Sequence, residues 1–116
     1  SYISCEWVLH ARGVLLQRPF TCSVVTLSTA VGRGRKISWR GETIEFSHMD
    51  AKLFRGYEEM DGVFLATAEK AYLDTLYYHR EPEQWGELEL DALDMDHLRS
   101  MAQKFPRRVL QRVLRL

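Results

Sequence analysis

Cysteine is scarce in this chain: Cys5 and Cys22 are the whole supply. Two thiols cannot build the disulfide framework of a small secreted scaffold, and these two are not spaced as a C-x-x-C pair. Free thiols in a reducing cytoplasm are therefore expected. No apolar run approaches the roughly 20 residues needed to cross a bilayer, and no secretory leader pattern opens the sequence. His10, His79 and His97 lack ligand spacing, and His48 with Asp50 makes a poor metal pair. No serine sits in a nucleophile motif and no phosphate-binding P-loop occurs. Internal repeats and low-complexity segments are also missing. These absences weigh against an enzyme, a bound metal or a cofactor.

What remains is the composition of one ordinary globular domain. With 116 residues, 46% of them apolar, the chain can bury a core but cannot form two typical domains. It begins abruptly without Met, which gives the expectation of a domain excised from something longer. The net charge of zero conceals segregation. Residues 81–96 hold seven acids and no Lys or Arg, whereas residues 104–116 hold five bases and no acid. A further basic group, Arg33, Arg35, Lys36 and Arg40, lies in the first half. Such blocks are usually solvated or mutually paired, and the competing reading is a surface offered to nucleic acid or an acidic partner.

Residues 63–66 read as a short apolar strand that runs into a helix capped by Thr67. Glu69 stands at the positive end of that helix dipole. Nearly every side of the helix is apolar, with Lys70 and Asp74 alone forming a polar edge, so it is expected to be the buried centre of the domain. Before it, Ser4 is placed to cap a helix ended by Gly13, and the β-branched residues 21–29 predict a strand. Residues 36–40 and 42–48 alternate about Gly41 as a hairpin, giving an antiparallel meander joined by 63–66. Residues 50–54 suit a helical turn, 55–57 a loop, and 88–93 are ambiguous. Asp94 caps a following helix, with Leu93 and Leu98 set as a hydrophobic staple. Pro106 interrupts that helix or starts another, whose inner face is Val109, Leu110, Val113 and Leu114. The expected fold is α+β: an antiparallel sheet of three to four strands on a central helix, with a helical C-terminus.

Three stretches occur in a recognisable order: Tyr2, Ile3, Ser4, Glu6, Leu9 and Gly13; then Leu53, Phe54, Gly56 and Tyr57; then Ala66, Thr67, Glu69, Lys70, Ala71 and Asp74. Together with Gly34, Arg35, Lys36, Gly41 and Phe46, they resemble the C-terminal domain of AbiEi-type antitoxins of bacterial type IV toxin–antitoxin (abortive infection) systems. The similarity runs from Tyr2 to about Tyr78 and fades afterwards. It implies an antitoxin that counters a nucleotidyltransferase-like toxin without forming a stable complex with it. It also implies a parent transcriptional regulator that binds promoter DNA through an N-terminal winged helix. That winged-helix half is not in this sequence, so the stretch in hand is expected to be either an excised C-terminal domain or a shortened relative, and the repressor role is not expected of it.

Each candidate residue has a structural alternative. Thr67, Glu69, Lys70 and Asp74 carry the family pattern, yet capping, dipole complementation and an exposed pair worth ~0.2–0.5 kcal/mol account for them, and this structural reading is preferred to a functional surface. A charged Glu69 on an apolar face also needs a partner. Arg33, Arg35, Lys36 and Arg40, and Arg108, Arg112 and Arg115, are the residues suited to phosphates or a partner. Trp39 among these bases would suit a stacking platform, but core burial beside Ile37 is preferred. The terminal basic helix suits a partner helix or a membrane surface, with packing on its own domain favoured and no membrane expected. A metal-dependent nuclease built on Asp50 and Lys52 with Glu42 or Glu45 is the weakest reading, because the spacing does not support it.

Overall fold

The computed structural model describes residues 1–29 and 35–116. Its core is a mixed sheet of six strands: β1 (Tyr2–Ser4), β2 (Thr21–Thr26), β3 (Arg35–Trp39), β4 (Glu42–His48), β5 (Tyr57–Met60) and β6 (Val63–Ala66). The spatial order is β3-β4-β2-β1-β6-β5. Helix α1 (Cys5–Ala11) follows β1 without a break, and α2 (Ala68–Tyr77) follows β6 across the single residue Thr67. Helices α3 (Met95–Ala102) and α4 (Arg107–Leu114) complete the chain, with short 3-10 turns at Ala51–Leu53, Pro82–Trp85 and Leu90–Ala92.

The α+β class and the central helix are as expected, but the sheet is larger than three to four strands and is not purely antiparallel. β2 lies parallel to β4, from Thr21 opposite Thr43 to Thr26 opposite His48, and β1 lies parallel to β6. The meander fails because β3 is exposed at every residue, whereas β2 buries Ser23 and Val25. A strand buried on one face belongs at the sheet centre, so β3 folds back as the outer edge and leaves β2 beside β4. Tyr2–Ser4, expected from the sequence as a brief extended piece before α1, pairs into the sheet as β1, whereas β5 begins in the segment expected to be a loop. The β5–β6 turn, Asp61-Gly62, and the β3–β4 turn, Arg40-Gly41, both have positive φ at each central residue, the geometry that matches strand twist in a two-residue hairpin.

Strand alternation decides what the helices cover. Tyr2, Ser4, Ser23, Val25, Ser47 and Ala66 are buried beneath α1 and α2. Ile3, Val24, Ile44, Phe46 and Leu65 point to the opposite face and stay half-buried. On the helix side, Val8, Leu9, Tyr72, Leu73 and Leu76 meet Leu98, Ala102, Val109 and Val113 in one core.

The caps read from sequence hold at Thr67, which accepts from the Lys70 N–H at 3.2 Å, and at Asp94, which accepts from the His97 N–H at 3.1 Å. Ser4 precedes α1 as expected, but its hydroxyl makes no cap bond, because it is directed to Asp74. Pro106 starts α4. Leu114 is exposed rather than inside, because it lies at the last residue of α4 on the side away from the buried Val109 and Val113.

Gly56 sits at φ +79°, and a Cβ built there would lie 2.9 Å from Met101 Cε and 3.0 Å from Lys70 Cγ. A left-handed backbone and a crowded space act together, so Gly56→Ala is expected to destabilise the fold by about 1–3 kcal/mol. Denaturant unfolding measures this directly.

Candidate functional site

Several residues from the three stretches singled out in the sequence meet in space. Lys70 and Asp74, one helical turn apart on α2, are 1% and 0% exposed, so the polar edge expected on this helix is in fact its most enclosed side. The reason is the sheet: Tyr2 and Ser4 on β1 present hydroxyls beneath α2. Lys70 Nζ donates to Asp74 Oδ1 at 2.5 Å and to Tyr2 Oη at 2.7 Å. Tyr2 donates in turn to Asp74 Oδ2 at 2.9 Å, and Ser4 Oγ donates to the same oxygen at 2.7 Å. Met49 Sδ lies 3.4 Å from the ammonium, completing its three donors. The rings of Tyr2 and Phe105 approach the ammonium to 5.2 and 5.3 Å.

The middle stretch of the pattern closes around this pair. Tyr57 stacks on Tyr2 with centroids 4.8 Å apart, and Phe54 meets both rings edge-on. The Gly56 carbonyl accepts from the Thr67 N–H at 2.9 Å. Burial raises the Asp74 carboxyl and lowers the Lys70 ammonium, each opposed by the partner charge. Burial likewise lifts the Tyr2 phenol far above its ordinary range. Every polar atom of the pair has a partner within the protein.

Glu69 does find the partner its position demanded: its carboxylate accepts from the Asp94 N–H at 3.1 Å. This ties the start of α2 to the cap of α3.

A second enclosed cluster lies under α1. Glu6, 6% exposed, accepts from Ser23 Oγ and lies 3.7 Å from Arg80 Nη1. Arg80 also donates to Ser23 Oγ at 2.9 Å and pairs with Glu45, which Lys36 approaches to 3.5 Å. Burial raises the Glu6 carboxyl above its ordinary value of 4.5, against the pull of Ser23 and Arg80.

The basic residues picked out from sequence divide between different elements. Arg33, with the neighbouring Gly34, lies outside the described residues. Arg35, Lys36 and Arg40 line the outer edge at β3 and its turn, with Arg40 4.6 Å over the Trp39 ring. Trp39 is 57% exposed, which corrects its expected place in the core: among the described residues β3 has a strand neighbour on one side only, and no helix packs on it. Arg108 donates to the Leu76 and Tyr77 carbonyls at 2.8 and 2.7 Å, closing the C-terminus of α2. Arg112 pairs bidentately with Glu81 at 2.9 and 2.7 Å, which lowers the Glu81 carboxyl through that hydrogen bond. Arg115 remains exposed just past α4 and lines a cleft of about 330 Å³ with Arg108, Arg112 and Arg80.

The acids of the nuclease reading are separately engaged. Asp50 caps its 3-10 turn, Glu42 pairs with Arg18 at 2.7 Å, and Glu45 belongs to Arg80. Glu42 and Glu45, three apart on one strand, point to opposite faces. Among the described residues no group of three potential ligands is arranged to hold a metal.

Sequence reasoning missed Tyr2, Ser4, Met49, Ser23 and Arg80 as network members. The signal for the first two was present: a Lys–Asp pair on an otherwise apolar helix requires buried partners, and a neighbouring strand alternating Tyr and Ser supplies them. Comparison with family models, curated proteins and solved structures finds no match to this chain.

Removing one member of a buried ion pair leaves its partner uncompensated, so Lys70→Met or Asp74→Asn alone is expected to cost about 3–5 kcal/mol. The double substitution Lys70→Met with Asp74→Asn is expected to cost less than the sum, as read by a double-mutant cycle in urea. Glu6 gives a pH test of opposite sign to a salt-bridged acid. Its folded pKa exceeds the unfolded one, so the native state holds the proton more tightly and this group's contribution falls as pH rises through the window above 4.5. Glu6→Gln keeps an acceptor for Ser23 without the charge. It is expected to melt above the wild type at about pH 7.5, with the gap narrowing at about pH 5.

Proposed function

We propose that this chain is a non-enzymatic regulatory domain: the antitoxin half of an AbiEi-type protein, countering a nucleotidyltransferase-like toxin of a type IV toxin–antitoxin system. One observation supports it above the others. The three stretches that carry the resemblance lie far apart in sequence, yet Tyr2 and Ser4, Phe54, Gly56 and Tyr57, and Thr67, Lys70 and Asp74 pack as one unit. In this reading the pattern specifies the domain's architecture, and the antitoxin effect is exerted through its surface. The parent protein would bind promoter DNA through its winged helix.

A second reading, a nucleic-acid-binding module, rests on the exposed Trp39 set among Arg35, Lys36 and Arg40. Phosphate contacts would give it a steep loss of affinity with salt.

Co-expression with a nucleotidyltransferase-like toxin encoded beside this chain tests the proposal. Growth is expected to be restored by the wild-type chain. It is also expected to be restored by Trp39→Ala, whose exposed site should alter stability by no more than about 0.5 kcal/mol. Failure of rescue by a chain shown to be folded would refute antitoxin action by this domain alone. Loss of rescue only in Trp39→Ala and Arg40→Ala would move the function to the basic edge.

A further inference from the structure

A cavity of about 170 Å³ opens between the Ala51–Leu53 turn and helix α3. Leu53, Met101 and Phe105 form an apolar floor, and the buried Lys70 contributes to the wall. The rim is cationic: Lys52, Arg55 and Lys104, with His97 and Ser100 beside them. No carboxylate lines it.

The side chains of Lys52, Arg55, His97 and Lys104 take part in no ion pair or hydrogen bond among the described residues. Elsewhere the protein pairs its bases readily: Arg12 with Glu58, Arg18 with Glu42, Arg80 with Glu45 and Arg112 with Glu81. A chain with equal numbers of acids and bases has the means to neutralise this rim too. Instead, like charges stand together around a concavity with an apolar base, an arrangement that repels itself until an anion enters.

We propose that this cavity binds a small organic molecule bearing a phosphate monoester. A phosphate monoester near neutral pH carries a charge of roughly −1.5 to −2 and three strong acceptor oxygens, more than a carboxylate presents. Arg55 supplies a planar fork suited to two of those oxygens, and Lys52 and Lys104 act as point charges. Ser100 and His97 provide hydrogen bonds at the rim. The apolar floor takes the organic body, which separates a monoester from free phosphate. The site is independent of the antitoxin proposal and lies on other elements than the basic edge at β3.

The full chain, labelled with nitrogen-15 and titrated at constant ionic strength with phenyl phosphate, inorganic phosphate or benzoate, tests it by amide NMR. Phenyl phosphate is expected to give saturable shifts confined to residues 52–55 and 97–105. Its affinity is expected to exceed that of either control by about tenfold or more, the equivalent of one additional charged or apolar anchor. Arg55→Ala and Lys104→Ala, both at exposed positions, are expected to keep the folded spectrum and weaken binding about tenfold each. Equal affinity for inorganic phosphate overturns the assignment, as does binding unchanged in both variants. Shifts centred on Arg35, Lys36 and Arg40 overturn it as well, since they report a general attraction of anions to the basic edge.

Discussion

The ion pair between Lys70 and Asp74 is the constraint around which this domain is arranged. Stripping water from two charges costs several kcal/mol per ion, and mutual attraction offsets that only with good geometry and with the remaining donors and acceptors satisfied. Here the satisfaction comes from three separate parts of the chain. Tyr2 and Ser4 require β1 to lie beneath α2, Met49 requires the end of β4 to approach, and Phe105 requires the turn after α3 to fold back. A sheet with a different strand order would leave the carboxylate short of donors. The pair thus selects a topology more than it adds net stability.

This division of labour bears on function. The residues most distinctive in sequence are enclosed, and a group without access to solvent cannot meet a partner. Arg108 and Arg112 are likewise committed, one to carbonyls at the end of α2 and the other to Glu81. The residues left to act outward are less conspicuous: the basic edge with Trp39, and the cationic rim beside α3. The strand pairing explains why these are separate surfaces, because β3 is carried to the far edge of the sheet while α3 packs against α2.

Much of the fold was legible from local patterns. The Thr67 and Asp94 caps, the Arg40-Gly41 hairpin turn, the central helix and the role of Pro106 each follow from chemistry confined to a few neighbouring residues. What stayed hidden was long-range. Parallel pairing of β2 with β4 leaves no signature between neighbours in sequence, and three-residue β1 is too short for alternation to show. Asp61-Gly62 was a readable turn signal that would have turned the segment before it from loop into strand. Lys70 and Asp74 looked like an ordinary exposed pair, since helical spacing fixes their separation but not the side that faces the sheet. Trp39 erred in the opposite sense: alternation with Ile37 gives a face, and only the strand order shows that this face belongs to an edge strand.

Hydrogen exchange of the Lys70 side-chain ammonium, followed by nitrogen-15 NMR, tests the central claim most directly. If Lys70 is locked in the enclosed network with Asp74 and Tyr2, its ammonium protons should give a resolved, slowly exchanging signal. That signal should disappear in Tyr2→Phe or Asp74→Asn while the surface lysines remain unchanged. An ammonium exchanging as fast as those of Lys36, Lys52 and Lys104 would contradict it, and would mean that the pair is open to solvent and free to act.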